Sequence, residues 1–328
     1  MSDCSIVIAC HTADRWPLLT AAIASVVDQV TSPAEVIVVV DHNPALYERL
    51  IHLEQPITVL ENICDRGASG TRNTGAARAV TPLVAFLDDD ARADAGWLDR
   101  LVAPFADPRV VGTGGRVRPA WTGSRPTWFP PEFDWVVGAT HAGADPESQR
   151  VRNVWAENMA VRAEVFHSVG GFRLGFGKLG AHSRPEDTDL CIRMASARAD
   201  GYWVIASGAE VTHHVPAERA TRSFFVRRCY HEGRGKADLT RLLPAAGEAL
   251  SAERHYVRRV LPQAVARYLR RAVLRGDGRA AARAAAVVIG FGATAFGYAL
   301  QRMLSVAQGS ADPALAPAVP VGSTYEAA

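Results

Sequence analysis

An apolar run ends in three consecutive carboxylates at Phe86-Leu87-Asp88-Asp89-Asp90. Strand residues two apart point the same way, so Asp88 and Asp90 could share one hard divalent cation. Mg²⁺ or Mn²⁺ takes oxygen ligands and bridges to substrate phosphates, and carboxylates this close repel one another without a cation. An acidic turn capping the next helix is the plainer alternative. Upstream, Arg66-Gly67-Ala68-Ser69-Gly70-Thr71-Arg72-Asn73-Thr74-Gly75 reads as a loop combining three glycines with two arginines. Glycine lets backbone approach a ligand closely and guanidinium forks suit phosphate, although an ordinary turn uses the same residues. The Lys-Ser/Thr ending of a Walker loop is absent. Asp41 follows Val38-Val39-Val40, where a carboxylate can hold a ribose or base edge, or cap a helix.

Later, Pro185-Glu186-Asp187-Thr188-Asp189 opens a helical pattern. Carboxylates in a first turn suit the helix dipole, and one of them could also be a general base toward an acceptor hydroxyl. His213-His214 follows a short run at 210–212 and could complete a cation site begun by the aspartates, or serve packing. Arg227, Arg228, His231, Arg234 and Lys236 could contact a pyrophosphate or form a solvated helix face.

Such groups need a scaffold that gathers strand ends. Runs rich in Val, Ile and Leu at 4–9, 35–40, 57–60 and 83–87 alternate with helical patterns at 16–30, 45–53 and 74–80. This alternation predicts a parallel sheet covered on both faces, a doubly wound, Rossmann-like α/β fold. Ligands of such sheets bind beyond the carboxyl ends of the strands, where Asp41 and Asp88 fall. A second α/β stretch is expected from a strand near 154–161 and helices near 162–169, 185–197 and 221–243. Between the two, residues 119–145 are rich in Pro, Trp and Gly and form either a substrate wall or a packed surface loop. With 48% hydrophobic and 21% charged residues among 328, the chain can bury a core, and a net charge of +2 excludes a strongly basic nucleic-acid binder. Five cysteines without a Cys-x-x-Cys pair argue for reduced thiols.

Taken in order, these pieces resemble the inverting family 2 glycosyltransferases of the GT-A fold, over roughly residues 4–236. Ser5 to Arg15 is similar to that family's first strand and donor loop. Val38-Val39-Val40-Asp41 resembles its nucleoside-binding strand end, with His42 where a second acidic residue is usual. Arg66 to Gly75 resembles the loop ending Ala-Arg-Asn-x-Gly, with Thr71 in place of Ala, and Asp88 to Asp90 matches the Asp-x-Asp metal motif. Asn158-Met159 and Val169-Gly170-Gly171-Phe172 resemble the acceptor side, Glu186-Asp187 the Glu-Asp motif, and Val211-Thr212-His213 the late metal histidine. The resemblance implies donor contacts from Thr12, Arg15, Asp41, Arg66, Gly67, Arg72, Asn73, Asp88 and Asp89. It implies Mn²⁺ or Mg²⁺ on Asp88, Asp90 and His213, and an acceptor held by Trp155, Asn158 and Glu186. Asp187 would be the base in a direct displacement that inverts the anomeric centre.

The organisation expected is a catalytic domain over 1–244, with a nucleotide half to about 118 and an acceptor half from about 150. A helical appendage over 245–304 and a disordered tail over 305–328 follow. Nine arginines lie between 254 and 283, while residues 284–301 carry no charge. At that length and with so much Ala and Gly, the uncharged stretch is a poor membrane span. Peripheral contact of 254–304 with an anionic cytoplasmic leaflet, a packed appendage with an arginine face, and a spanning helix are the three readings. The opening residues show neither a basic n-region nor an apolar h-region, so a cytoplasmic enzyme is expected, in contact with the inner face of the cell membrane. Its partners would be a nucleoside-diphosphate sugar and a saccharide or lipid-linked acceptor of the cell envelope. A metal-dependent nucleotidyltransferase leaves Glu186, Asp187 and His213 unused, and a non-catalytic nucleotide-sugar binder has no use for a base.

Overall fold

The computed structural model describes residues 2–143, 150–179, 182–242 and 251–308. Four apolar runs form parallel neighbours: β1 (Cys4–Cys10), β2 (Glu35–Val40), β3 (Thr58–Glu61) and β4 (Leu83–Asp88), in the order β3-β2-β1-β4. Successive side chains leave a strand on opposite faces. Ile6, Ile8, Val38 and Leu87 therefore enter one core, and Val7, Val39 and Phe86 another. Helices α1 (Trp16–Val27) and α2 (Pro44–Ile51) cover the first face with Leu19, Ile23, Leu46 and Leu50. Helix α3 (Ala68–Arg78) covers the second with Ala76.

The expected loop at 66–75 is corrected: α3 begins at Ala68, so Gly70 to Asn73 are already helical. Gly75 serves close packing there, because a Cβ at that position would strike the Val7 side chain. Gly67 caps the helix at φ 134°, a backbone conformation that favours glycine.

Beyond β4 the sheet turns mixed. After β5 (Ala91–Ala93) and α4 (Trp97–Val102) come β6 (Val110–Trp121), β7 (Arg150–Val151), β8 (Asn158–Arg162) and α5 (Ala163–Ser168). A small hairpin, β9 (Gly177–Leu179) with β10 (His182–Arg184), precedes α6 (Glu186–Ala197) and β11 (Tyr202–Val215). The full order is β3-β2-β1-β4-β8-β6-β11-β5, with β7 on β11. The strand expected over 154–161 starts only at Asn158, and the short run at 210–212 is the end of a 14-residue strand. Part of the 119–145 insertion is a wall: Pro131–Val137 is a 3-10 segment whose Phe133, Val136 and Val137 are buried.

Helix α7 (Arg222–Leu242) leads to α8 (Ser251–His255), which runs through a π turn, Tyr256–Val260, into α9 (Leu261–Arg275). Helix α10 (Gly278–Gln308) folds back on α7, longer than the 18-residue stretch the sequence suggested. Phe225, Cys229, Leu261, Ala264, Tyr268, Ala284 and Val287 join the first core, so the C-terminal helices share the core of the sheet. The expected boundary at 244/245 and residues 144–145 of the insertion lie outside the described residues, and of the expected tail over 305–328 the first four residues end α10 while 309 onward lies outside them. Cys4, Cys10, Cys191 and Cys229 are buried free thiols.

Candidate active site

A cleft of about 2110 Å³ runs along the carboxyl ends of the strands and under α7 and α10. At its nucleotide end, Asp41 follows β2. Its carboxylate accepts from Asn62 Nδ2 at 2.7 Å and from the Gly67 backbone N–H at 2.9 Å. These bonds and His42 outweigh the cost of partial burial and hold Asp41 below the usual carboxylate range. Arg66 lies over the same corner, its Nη2 donating to the His42 carbonyl at 3.3 Å. Thr12 accepts from the Asp14 N–H, shaping the turn before α1.

The aspartate triplet is split by the chain turning after β4. Asp88 accepts from Arg72 at 2.6 Å, whereas Arg15 bridges Asp89 at 2.9 Å and Asp90 at 3.0 Å. Asp88 and Asp90 thus take their partners from different elements, Arg72 of α3 for the one and Arg15 and His213 for the other. The pairing of β5 with β11 sets His213 opposite Ala91, just after the triplet. His213 Nε2 then lies 3.2 Å from Asp90 Oδ1 and 3.9 Å from Glu157 Oε2. Burial opposes charge in this cluster, yet Glu157 and Asp90 outweigh it and raise the His213 pKa to about 9. Burial of Glu157, only partly offset by His213, pushes its carboxyl up to about 8. Burial and the charge of Asp90, against the pull of Arg15, bring Asp89 to about 6. Gly138, at φ 74°, permits this packing: a Cβ there would stand 3.1 Å from both Glu157 Oε2 and His213 Cε1.

Three buried polar atoms of this cluster have no hydrogen-bond partner: Asp89 Oδ2, Glu157 Oε1 and His213 Nδ1. The unpartnered carboxylate oxygens of Asp89 and Glu157, with His213 as a ligand once its proton is displaced, fit a hard divalent cation. Among the described residues no three such side chains form a ready-made cage. Arg15 and Arg72 neutralise the carboxylates instead.

Across the cleft, Glu186 and Asp187 occupy the first turn of α6. Arg72 reaches Glu186 at 3.4 Å while also holding Asp88, so one guanidinium links the two acidic sites. Burial, reinforced by Asp187 and opposed by Arg72, pushes Glu186 up to about 7. Burial also raises Asp187, whose Oδ1 accepts from the Thr188 N–H at 2.6 Å. Trp155 lines the cleft nearby.

Two expected ligand contacts are corrected. Asn158 is fully buried, its oxygen accepting from Trp97 Nε1 and its nitrogen donating to the Arg116 and Ala209 carbonyls. It ties β8 to β6 and β11 and cannot reach an acceptor. Asn73, also buried, exchanges bonds with the Phe172 backbone and locks α3 to the 170–172 turn. On the basic face of α7, Arg227 is exposed, while Arg228, Arg234 and Lys236 are engaged. Arg228 pairs with Glu232 at 2.8 Å, Lys236 bridges Glu232 and Glu253, and Glu253 also holds Arg152. Arg234 donates to Gln301 of α10.

Glu157 and Arg219 are functional candidates that the sequence reading missed. Glu157, between Ala156 and the polar Asn158, interrupts no apolar run that would have flagged it. Arg219, whose charge acts on Asp90 and His213, carries no local signal.

The family profile described as glycosyl transferase family 2 matches residues 5–170. A glucosyl-dolichyl phosphate glucuronosyltransferase of Haloferax volcanii is 29% identical over 249 residues, covering 74% of this chain and 79% of that one. A pre-mycofactocin glycosyltransferase of Mycobacterium tuberculosis is 33% identical over 145 residues, 44% of this chain and 29% of the relative. In structure, a mannosyltransferase of Pyrobaculum calidifontis, solved with GDP-Man and Mn²⁺, superposes with a TM-score of 0.57 at 19% identity, covering 91% of this chain and 86% of that one. The mixed sheet with its cleft at the strand ends is the GT-A arrangement, and the chain belongs to glycosyl transferase family 2, the glycosyltransferases.

Proposed function

We propose that this glycosyltransferase moves a sugar from a nucleoside diphosphate to a hydroxyl of a lipid-phosphate-linked acceptor, with inversion and with Mn²⁺ or Mg²⁺. The observation that carries this reading is one cleft holding the Asp90–His213 pair on one wall and the Glu186–Asp187 pair on the other. Asp88, Asp90 and His213 would hold the cation, which when bound neutralises charge on the departing diphosphate. Asp41, Gly67 and Arg66 hold the nucleoside end. Arg15 and Arg72, released from the carboxylates, are placed to meet the phosphates. Asp187 takes the proton from the acceptor hydroxyl, and Glu186, fixed by Arg72, orients it. One base without a covalent intermediate gives inversion. The lipid-phosphate acceptor is supported by the name of the haloarchaeal relative, and the division into a catalytic domain with a helical appendage is part of the same proposal. We place the enzyme at the cytoplasmic face of the membrane. Family membership leaves the nucleotidyltransferase and non-catalytic readings without support.

The test is nucleoside-diphosphate release from a panel of UDP-, GDP- and dTDP-sugars with Mn²⁺ or Mg²⁺. Release from one donor, dependent on metal and lost in Asp90→Ala, is expected. Release that ignores metal and survives Asp90→Ala overturns the cation site.

A further inference from the structure

Helix α10 is long and apolar enough to cross a membrane by length and composition, yet its packing assigns it another place. It lies along α7 at backbone contact: a Cβ on Gly233 would strike the Thr294 carbonyl, and one on Gly297 the Tyr230 carbonyl. Near its end Gln301 donates to Asp238 and accepts from Arg234, both at 2.8 Å. Phe291, Thr294 and Tyr298 line the active-site cleft. Crossing a bilayer would strip α10 from α7 and open the cleft along its length.

The opposite side of α10 is largely uncovered among the described residues, with Phe296 touching the Tyr230 ring of α7 at its margin. Ala285, Val288, Ile289, Gly292, Phe296, Ala299 and Met303 are exposed at helical spacing. Val288 is 59%, Phe296 62% and Met303 62% exposed. From Ala285 to Met303 this stripe runs about 27 Å without a charge. Helix α9 adds Leu269, Val273 and Leu274, the last two 81% and 74% exposed. Around these apolar groups, Arg258, Arg259, Arg270, Arg275 and Arg279 are exposed and have no carboxylate partner among the described residues. An apolar surface fringed by unneutralised arginines complements an anionic lipid leaflet: acyl chains for the stripe, headgroup phosphates for the guanidinium groups.

We infer that α9 and α10 form an in-plane docking face for an anionic bilayer, with the cleft opening beside it at Phe291. This rests on the transferase reading, for which it supplies the route of the acceptor. A lipid-linked sugar would pass from the leaflet over Phe291 to Asp187 while its chain stays in the membrane.

The experiment is flotation of the full-length chain with phosphatidylcholine vesicles, with and without phosphatidylglycerol, beside metal-dependent nucleotide release in solution. Wild type is expected to float only with phosphatidylglycerol, and less so as salt rises. Arg270→Gln and Arg275→Gln should each lower partitioning about fivefold. Val288→Glu with Phe296→Glu should lower it by roughly tenfold or more and leave nucleotide release and the circular dichroism spectrum unchanged. A chain that releases nucleotide but stays unbound with either vesicle overturns the docking face and spares the transferase reading. Flotation without nucleotide release from any donor does the reverse. A dimer in solution that the Val288→Glu, Phe296→Glu pair dissociates, with no vesicle binding, assigns the stripe to a second copy and overturns the proposal.

Discussion

The cleft wall around Asp41 and Asp88, proposed for the nucleotide, and the wall around Glu132 and Glu253, proposed for the acceptor, are built in different ways. Around Asp41 and Asp88 two ties are short in sequence: Asp41 meets Gly67 26 residues on, and Arg72 meets Asp88 16 residues on, while Arg15 reaches Asp89 74 residues on. The first contact closes the β2–α2–β3 unit onto the start of α3 and the second ties α3 to the end of β4, so the winding of the parallel sheet brings them together. At the acceptor end the ties are long. Arg152 holds Glu253 across 101 residues, and buried Glu132 takes Arg267 and Tyr268 of α9 across 135 and 136. Here the wall is assembled late, from segments with no shared secondary structure. The Asp41 corner is therefore held by nearby segments, while the wall around Glu132 depends on distant clamps.

The largest break of this comparison is chemical. Asp187→Asn keeps shape and removes the base, so transfer should fall by about 10³-fold while donor affinity stays within roughly twofold. Single-turnover transfer, with donor binding read by calorimetry, checks it. Transfer near wild type would move the base to Glu186.

A structural break should come next. Glu132 is 3% exposed and accepts from Arg267 and from Tyr268 at 2.9 Å, while its backbone carbonyl takes Tyr256 at 2.7 Å. Glu132→Ala should cost about 2 kcal/mol, the smaller end for a buried pair because Arg267 can turn to water. Acceptor KM should rise several-fold with donor affinity unmoved. Equal weakening of both ends would show that the cleft melts as one unit.

These differences in construction explain what was legible in the sequence. Strand–helix alternation through Asp88 disclosed the sheet, because local hydrophobic periodicity is the quantity that a parallel sheet fixes. The candidates Asp41, Asp88, Asp90, Glu186, Asp187 and His213 all line the one cleft. The loop reading of 66–75 failed because glycine admits two uses, a turn or a helix pressed against a sheet, and only tertiary packing on Val7 decides between them. Asn73 and Asn158 looked like ligand contacts because an amide serves a buried backbone as readily as a substrate. Glu157 and Arg219 went unseen since their meaning arises from the β5–β11 pairing, which no local pattern announces.

The smallest effect separates the two carboxylates of α6. Burial and Asp187 lift Glu186 from its usual 4.5 to about 7, and burial lifts Asp187 as well. The ionised pair should therefore take up a proton as pH falls through about 7, and kcat/KM should fall there, well above the range of an ordinary carboxylate. Glu186→Gln removes the like charge beside Asp187, so the acid limb should move to lower pH even as the rate drops. The stability sign is set by the same shift. A carboxyl with a raised folded-state pKa holds its proton more tightly when folded, so its contribution is present below pH 4.5 and is lost as pH rises through about 7. Relative to wild type, Glu186→Gln should thus be more stable at pH 8 than at pH 5, measured by thermal unfolding at both. An acid limb near pH 4 in the wild type, or one unmoved in the variant, would uncouple the pair and return both carboxylates to the plain role of helix-dipole partners at the start of α6.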